Sequence, residues 1–488
     1  MENQHNEDLE ENYVVNQRLG LFEMNLKLLS VTGIVPNRNI TCSKWKLKTY
    51  RLLQFLSLLI YIPVLILQVL GLCFYWGNIT LTTDNICITC SLLIGYIPAL
   101  YQAVHAENLH RVIDMIEQQS LFSMKAVKEN SAYTTIVNDA KKTASYLTWL
   151  TSISLSVTGI LWTSYPLVMH YFQNNSSDDN SLDHQFKYLV FVMWLPFEIS
   201  QPDCYRLTYL LQVIVFLTAM AYIIGILTLY LNIMVYLKAQ LKIVTAAIRE
   251  LDKAYFFEKE EDMNQGHTFE YDKQFRQEIV QEVINETYKN KENRNTLQAV
   301  EESDIVRKSE DIQLYSIASL ELLTTKIESN NVLNGEENSD KYIVQCIKFH
   351  QSAISFSKEA NNILGFGLIV AIVCNVVLII TETFQLSLVV TTKYCSGFFT
   401  SLTQQFIFSY FGQGIINQSL AVGAAVYKVK WYCLPVRFQR LLLLILARAQ
   451  NPVKITFGKI FPLSLILFTQ VLNVSYKFYT VLLQVNDP

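Results

Sequence analysis

Seven stretches of this chain are each long and apolar enough to cross a lipid bilayer: 51–76, 85–104, 144–171, 206–237, 361–391, 397–427 and 461–485. A helix needs about 20 mostly apolar residues for that task. In hydrocarbon, every backbone N–H and C=O must be paired within the spanning structure, so such stretches fold as helices. The expected fold class is therefore an all-α integral membrane protein with seven transmembrane helices. Charged residues make up only 17% of the chain against 51% hydrophobic ones, whereas soluble proteins carry about a quarter charged residues. A net charge of −3 gives no footing for nucleic-acid binding.

The loops set the orientation. Lys44, Lys46, Lys48 and Arg51 precede the first span, and the stretch 77–84 has no Lys or Arg. Arg111, Lys125, Lys128, Lys141 and Lys142 follow the second span, and an acid-rich loop at 172–205 follows the third. The connection 428–460 carries seven bases. Cytoplasmic loops hold the excess of Lys and Arg, so the expected topology has a cytoplasmic amino terminus and an extracellular carboxyl terminus. The first fifty residues are polar and show no signal peptide. Acceptor sequons at Asn78, Asn174 and Asn175 fall in expected outside loops and are glycosylation candidates.

These features divide the chain into segments. Residues 1–50 form a cytoplasmic amino-terminal segment, and 51–238 hold spans one to four. A long cytoplasmic loop covers 239–360, spans five and six lie in 361–427, a basic cytoplasmic segment covers 428–460, and the last span occupies 461–488. Leu241, Val244, Ala247, Ile248 and Leu251 recur at helical spacing, which predicts a cytoplasmic extension of span four over 239–255. A second helix is expected over 341–360, leading into span five, and a third over Arg440–Gln450, which is too short to span. Between 250 and 341 acids outnumber bases about two to one, and 258–338 reads as an insertion without a packed core.

The last span carries polar residues where lipid disfavours them. On a helix turning 100° per residue, Gln470, Asn473, Lys477, Val481 and Gln484 fall within an arc of about 80°. Polar groups inside a membrane face a bundle or water. One reading is a water-lined path of amides ending in a constriction at Val481 and Val485, which closes by dewetting. The other is a polar seam that joins helices within one chain. A transporter would show broken helices at matching positions of two repeats, and none is visible. No GxSxG, HExxH, P-loop or dinucleotide fingerprint is present, so the chain does not read as an enzyme. No cofactor or metal is implied: Cys87 and Cys90 form a CxxC without a second pair, and read as small residues on a buried helix face. The end of span three (LVMHYFQNN) and span seven (NVSYKFY) lack the motifs of G-protein-coupled receptors.

A series of motif residues in the carboxyl-terminal third runs from Tyr410, Gly412 and Ser419 through Tyr427, Trp431 and Pro435 to Arg448, Gln450 and Pro452. It continues with Thr456, Gly458 and Lys459, then Phe461, Pro462, Ser464, Leu465, Phe468, Ser475, Tyr476, Val481 and Leu482. The segment WLPFEISQPDCYRLTYLLQ, with Trp194, Pro196, Phe197, Pro202, Tyr205 and Gln212, and the pair Cys346 and His350 join the set. In order and spacing these residues resemble the insect odorant receptor family.

The resemblance implies an odorant-gated, non-selective cation channel of the insect olfactory system, in the plasma membrane of an olfactory neuron dendrite. The chain looks like a tuning subunit that joins a co-receptor in a heterotetramer, with no G protein. A gustatory-receptor-like channel is the alternative, although its TYxxxxxQF pattern is absent. Carried over, Val481 and Val485 act as the gate beside Gln484, and the chain ends where the pore meets the outside. Tyr427, Trp431, Arg448, Gln450, Thr456 and Lys459 belong to a cytoplasmic helical anchor shared among subunits. Many members have a small residue where this chain has Lys477. The family's pocket for a small volatile odorant lies in the outer half of the membrane, between spans two, three, four and six. Apolar ligands call for aromatic walls and few polar groups. The candidates here are Tyr96, Ser154, Thr158, Trp162, Phe216, Met220, Phe398 and Phe399.

Overall fold

The computed structural model describes residues 21–36, 44–114, 130–173, 189–196, 202–251, 338–458 and 461–486. Helices dominate. They are α1 (Glu23–Val31), α2 (Lys44–Leu59), α3 (Tyr61–Phe74), α4 (Ile79–Val104), α5 (Ala106–Asp114), α6 (Ser131–Gln173) and α7 (Pro202–Arg249). After these come α8 (Asn338–Leu388), α9 (Thr392–Lys428), a 3-10 turn (Trp431–Cys433), α10 (Val436–Ala449) and α11 (Leu465–Asn486). A short antiparallel pair, β1 (Thr456–Phe457) and β2 (Phe461–Pro462), precedes α11. Gly458 turns this hairpin at φ +64°, a conformation that glycine adopts without a Cβ penalty.

Among the described residues, six helical stretches are long and apolar enough to cross a membrane: Lys44–Phe74, Ile79–Val104, Ser131–Met169, Cys204–Arg249, Lys341–Leu388 and Leu465–Gln484. The sixth expected span, 397–427, lies within α9, which is long enough but more polar. The first span is two helices that break at Ile60. The second starts six residues before its apolar run, because Asn78 Oδ1 accepts the Leu81 N–H at 3.2 Å and caps the helix. The extensions expected around spans four and five are continuous with them: α7 runs unbroken to Arg249, and α8 covers 341–360 and the fifth span as far as Leu388. The insertion 258–338 falls almost wholly outside the described residues, as do Asn174, Asn175 and Lys459.

The chain divides into two compact units. The first holds 1–243, 351–418 and 453–488. Its core includes Tyr61, Val64, Leu92, Phe216, Tyr230, Tyr236, Leu364 and Phe384. The segment 189–196 packs into it: Leu189 to Met193 are at most 3% exposed. Gln212 holds this segment by accepting from Val190 N at 3.0 Å and donating to Phe191 O at 3.0 Å. Asn85 donates to Val192 O at 3.1 Å, and Trp194 N donates to Leu67 O at 3.2 Å. These four bonds pair backbone groups that burial would otherwise leave without partners. At α1, the Lys27 ammonium lies 2.7 Å from Glu23 and holds that carboxyl below its usual range.

The second unit holds 244–350 and 419–452. α10 is amphipathic and buries Phe438, Leu441, Leu442, Ile445 and Ala449 at helical spacing. The other buried apolar residues of this unit include Val244, Ala247, Ile343, Ile347, Val422 and Val426. Tyr342 donates to Ala247 O at 3.0 Å. Cys346 and His350 are buried in this unit.

Candidate functional site

Where α4 begins, α8 ends and α9 begins, the first unit buries three ionisable side chains: Asp84, Glu382 and Lys393. Lys393 Nζ lies 3.3 Å from Asp84 Oδ1, and the Tyr394 hydroxyl donates to the same oxygen at 2.7 Å. The ammonium also sits 4.6 Å from the centre of the Trp162 ring and 4.8 Å from that of Tyr394. It is therefore held by one carboxylate and two aromatic faces. Gln385 extends the network to α4, donating to Thr80 O at 2.8 Å and Thr83 Oγ1 at 2.7 Å. Glu382 is reached by Ser401 and packs against Gly397, where a Cβ would overlap its Oε1. Ionisable groups buried inside a membrane bundle are costly, which makes this cluster a candidate site.

Trp162 is the hub. It is 3% exposed, stacks on Phe216 at 5.9 Å and 18°, and meets Tyr394 edge-on at 5.9 Å. One turn earlier on α6, the Thr158 hydroxyl shares a 2.7 Å hydrogen bond with Thr400 of α9 and bonds Ser154 O at 3.1 Å. Met220 packs against Gly159. The structure thus gathers Ser154, Thr158, Trp162, Phe216 and Met220 of the expected pocket. Tyr96 stands apart, stacked on Tyr61 at 5.2 Å; Tyr61 in turn stacks on Tyr222 at 5.8 Å. Phe398 packs edge-on with Phe399, which is 63% exposed. Asp84, Glu382, Gln385, Lys393, Tyr394 and Thr400 were absent from the sequence-based pocket. The signal for three of them was an ionisable residue within or beside an apolar run, masked by placing Asp84 and Lys393 in loops.

A separate crevice of about 310 Å³ lies between α1, α6 and α7. Its lining includes Asn25, Lys27, Lys141, Thr148, Asn232 and Tyr236, and the Asn232 amide donates to Asn25 and to Thr148.

The last helix is the least covered candidate span. Only 11% of its most apolar window is buried, against 28% to 50% for the others. Val471 and Ser475 face the chain's own bundle, each 5% exposed. Gln470, Asn473, Lys477, Val481 and Gln484 are all exposed, Val481 by 52%. Their arc lies roughly 140° around the helix from the packed side. Among the described residues, the arc therefore makes no seam. At the other end of this region, α9 meets the approach to α11 closely: a Cβ at Gly412 would overlap the Leu463 carbonyl oxygen and lie 2.8 Å from its Cβ.

The expected anchor residues fall in both units. In the second, Tyr427 is 73% and Trp431 43% exposed, Gln450 is exposed, and Arg448 donates to Asn451 O at 2.8 Å. In the first, Thr456 N donates to Asn361 Oδ1 at 2.8 Å, and Asn361 Nδ2 donates to Lys454 O at 2.8 Å, tying the hairpin to α8.

The fold is that of solved insect olfactory receptors. OR5 from Machilis hrabei in complex with eugenol matches with a TM-score of 0.66 at 12% identity, over 97% of this chain and 99% of that one. A second structure of that receptor matches with a TM-score of 0.64 at 12% identity, over 95% of this chain and 97% of that one. By sequence, residues 312–476 match the family model described as 7tm Odorant receptor. Odorant receptor Or2 of Anopheles gambiae is 30% identical over 150 residues, and Odorant receptor 67c of Drosophila melanogaster 26% over 155. These alignments span 29% and 30% of this chain and only 38% of either relative. In sequence over this third, and in fold over nearly its whole length, the chain resembles the insect odorant receptors, which are receptors and not enzymes.

Proposed function

We propose that this chain is a subunit of an odorant-gated cation channel of the insect olfactory system. The carrying observation is the polar arc of α11, which turns away from the chain's own bundle. Exposed amides and a lysine are costly against lipid, so the arc faces water or other subunits. Four such helices around an axis form a path lined by Gln470, Asn473, Lys477 and Gln484. Val481 and Val485 narrow it, and such apolar constrictions close by dewetting. The amides solvate ions of either sign weakly, which makes the path poorly selective among cations.

The odorant pocket in this reading is the cluster around Trp162, Phe216 and Tyr394, in the outer half of the membrane. The amino terminus is cytoplasmic, the carboxyl terminus extracellular, and the membrane is the plasma membrane of the sensory neuron. A volatile that repositions Trp162 also moves Lys393 and Tyr394, because the rings and the ammonium are in contact. Both residues sit in the first turn of α9. α9 carries that displacement as a rigid rod to Gly412, which touches Leu463 two residues before α11. Ligand occupancy and pore diameter then bias the same two-state element. Tyr427, Trp431 and Gln450 expose polar and aromatic surface suited to subunit contact.

The partner is an odorant co-receptor. Four copies of Lys477 crowd four ammonium groups around one axis, and mixed assembly dilutes them. The test is an odorant panel applied to cells expressing the chain with and without a co-receptor. Odour-evoked Na⁺ and K⁺ current, with some Ca²⁺, is expected from the mixture and little from the chain alone. Robust current from the chain alone contradicts the mixed assembly, and silence in both contradicts the channel.

A further inference from the structure

Between Glu23 and Asp84 the chain has no acidic residue, yet it carries Lys27, Arg38, Lys44, Lys46, Lys48 and Arg51. The last four crowd into the start of α2. All four are exposed, and among the described residues no carboxylate pairs with any of them. On a helix turning 100° per residue, Lys44, Lys48, Arg51, Phe55 and Leu59 form one stripe within about 80°. The side chains that dock α2 point elsewhere. Tyr50 donates to Ser30 O at 3.4 Å, Gln54 donates to Ile34 O at 2.7 Å, and Ser57 shares a 2.7 Å hydrogen bond with Tyr222. Their arc is centred roughly 130° around the helix from the stripe. Past the bases the stripe is apolar and uncovered: Phe55 is 61% and Leu59 44% exposed, with Leu52 beside them at 58%. Trp45, also exposed, stands at the level of the bases, where amphipathic rings settle at a membrane surface.

Resting on the reading that the amino terminus is cytoplasmic, we infer that this stripe binds a phospholipid of the inner leaflet whose headgroup carries more than one phosphate. Phe55 and Leu59 lie against its acyl chains, and Lys44, Lys48 and Arg51 close on its phosphates. The three bases span about 10 Å along the helix axis. Lysine and arginine stems bend to bring their charged ends to the headgroup level, so all three reach a single headgroup. A lipid with one negative charge neutralises one base and leaves the others to recruit further lipids, each immobilised at its own entropic cost. A polyphosphorylated headgroup meets all three at once, and the Arg51 guanidinium can hold a phosphate through two parallel bonds. A zwitterionic headgroup brings its own cation among the bases. Clusters of bases just cytoplasmic of a membrane helix attract anionic lipids for these reasons. The apolar continuation of the stripe commits it to a lipid over a free inositol phosphate.

The experiment places the full chain in phosphatidylcholine nanodiscs doped with phosphatidylinositol bisphosphate or, at equal total charge, with phosphatidylserine. Lipids that stay bound as the chain leaves the disc are counted by native mass spectrometry. Staining of an amino-terminal epitope in cells, before and after permeabilisation, reports the orientation separately. The bisphosphate lipid should be retained over both others. Each base near the membrane surface contributes about fivefold, so Lys48→Gln should lower that retention about fivefold. Lys44→Gln, Lys48→Gln and Arg51→Gln together should lower it to the level of phosphatidylcholine. Lys46→Gln, off the stripe, should cost less than Lys48→Gln. Lys44→Arg with Lys48→Arg keeps the charges and should keep the retention. Lys48→Gln, on an exposed face, carries the test if the triple variant folds poorly. Equal retention of the two anionic lipids, equal losses in Lys46→Gln and Lys48→Gln, or unchanged retention in Lys48→Gln overturns the site and leaves the orientation standing. Staining without permeabilisation overturns the orientation, and with it the leaflet, whatever the binding.

Discussion

Removing the charge of Asp84 should destabilise the bundle more than removing the charges of Asp84 and Lys393 together. The pair lies 3.3 Å apart, with side chains only 12% and 8% exposed. At that separation, with an effective dielectric constant of about 20, the attraction is on the order of 5 kcal/mol. Desolvation offsets much of it, so the net worth of the intact pair is small. Asp84→Asn removes the attraction and leaves the ammonium buried among Trp162 and Tyr394, at an expected cost of about 3–5 kcal/mol. Asp84→Asn with Lys393→Met removes both charges, and the introduced carboxamide still offers an oxygen to the Tyr394 hydroxyl; the expected cost is about 1–2 kcal/mol. The assay is thermal unfolding of the purified full chain in nanodiscs, paired with surface expression, for wild type, both single variants and the double. A double variant more stable than Asp84→Asn is the expected ordering. A double variant as damaged as that single, or an Asp84→Asn cost under about 1 kcal/mol, would show that the ammonium is not held in a dry site.

Gly412→Ala drives a methyl into the Leu463 carbonyl; the expected cost is about 1–3 kcal/mol, seen as a lower unfolding temperature, and an unchanged temperature would mean that α9 and the approach to α11 are not in contact. Lys477→Ser, expressed with a co-receptor, should raise Ca²⁺ permeability relative to Na⁺ by about twofold for each lysine replaced. A single charge about 8 Å from the ion in water contributes roughly 0.5 kcal/mol per unit of ion charge. An unchanged reversal potential in Ca²⁺ would place that side chain away from the ion path.

Much of the bundle was legible because lipid imposes a simple code: an uninterrupted apolar run is a helix. The amphipathic α10 and the polar arc of α11 were legible for a related reason, since a helix displays its 3.6-residue period within a few turns. What the sequence concealed depends on partners far apart in the chain. Asp84 meets Lys393 across 309 positions, and no local pattern links them. The apolar runs beside them stop just short of Asp84 and Lys393, so both residues were assigned to loops although the fold buries them. Asn78 shows the same limit at a helix start, where a cap lengthens α4 beyond its apolar run. The stretch Leu189–Met193 is apolar but too short to span, and only the fold reveals that Gln212 pins it inside the bundle. Size and helix position singled out both Trp162 and Tyr96, and the fold packs them differently: Trp162 stacks on Phe216, and Tyr96 on Tyr61.

Cysteine scanning along α11 probes the proposed conduit most directly. Cysteines placed at 473, 477 and 481 on the exposed arc, and at 471 and 475 on the packed face, are tested with a charged thiol reagent applied from outside during odorant-evoked current. Block at 473, 477 and 481, with none at 471 and 475, is the expected pattern. Equal modification all round the helix, or none at the three arc positions with the channel open, would contradict a water-filled path along this face.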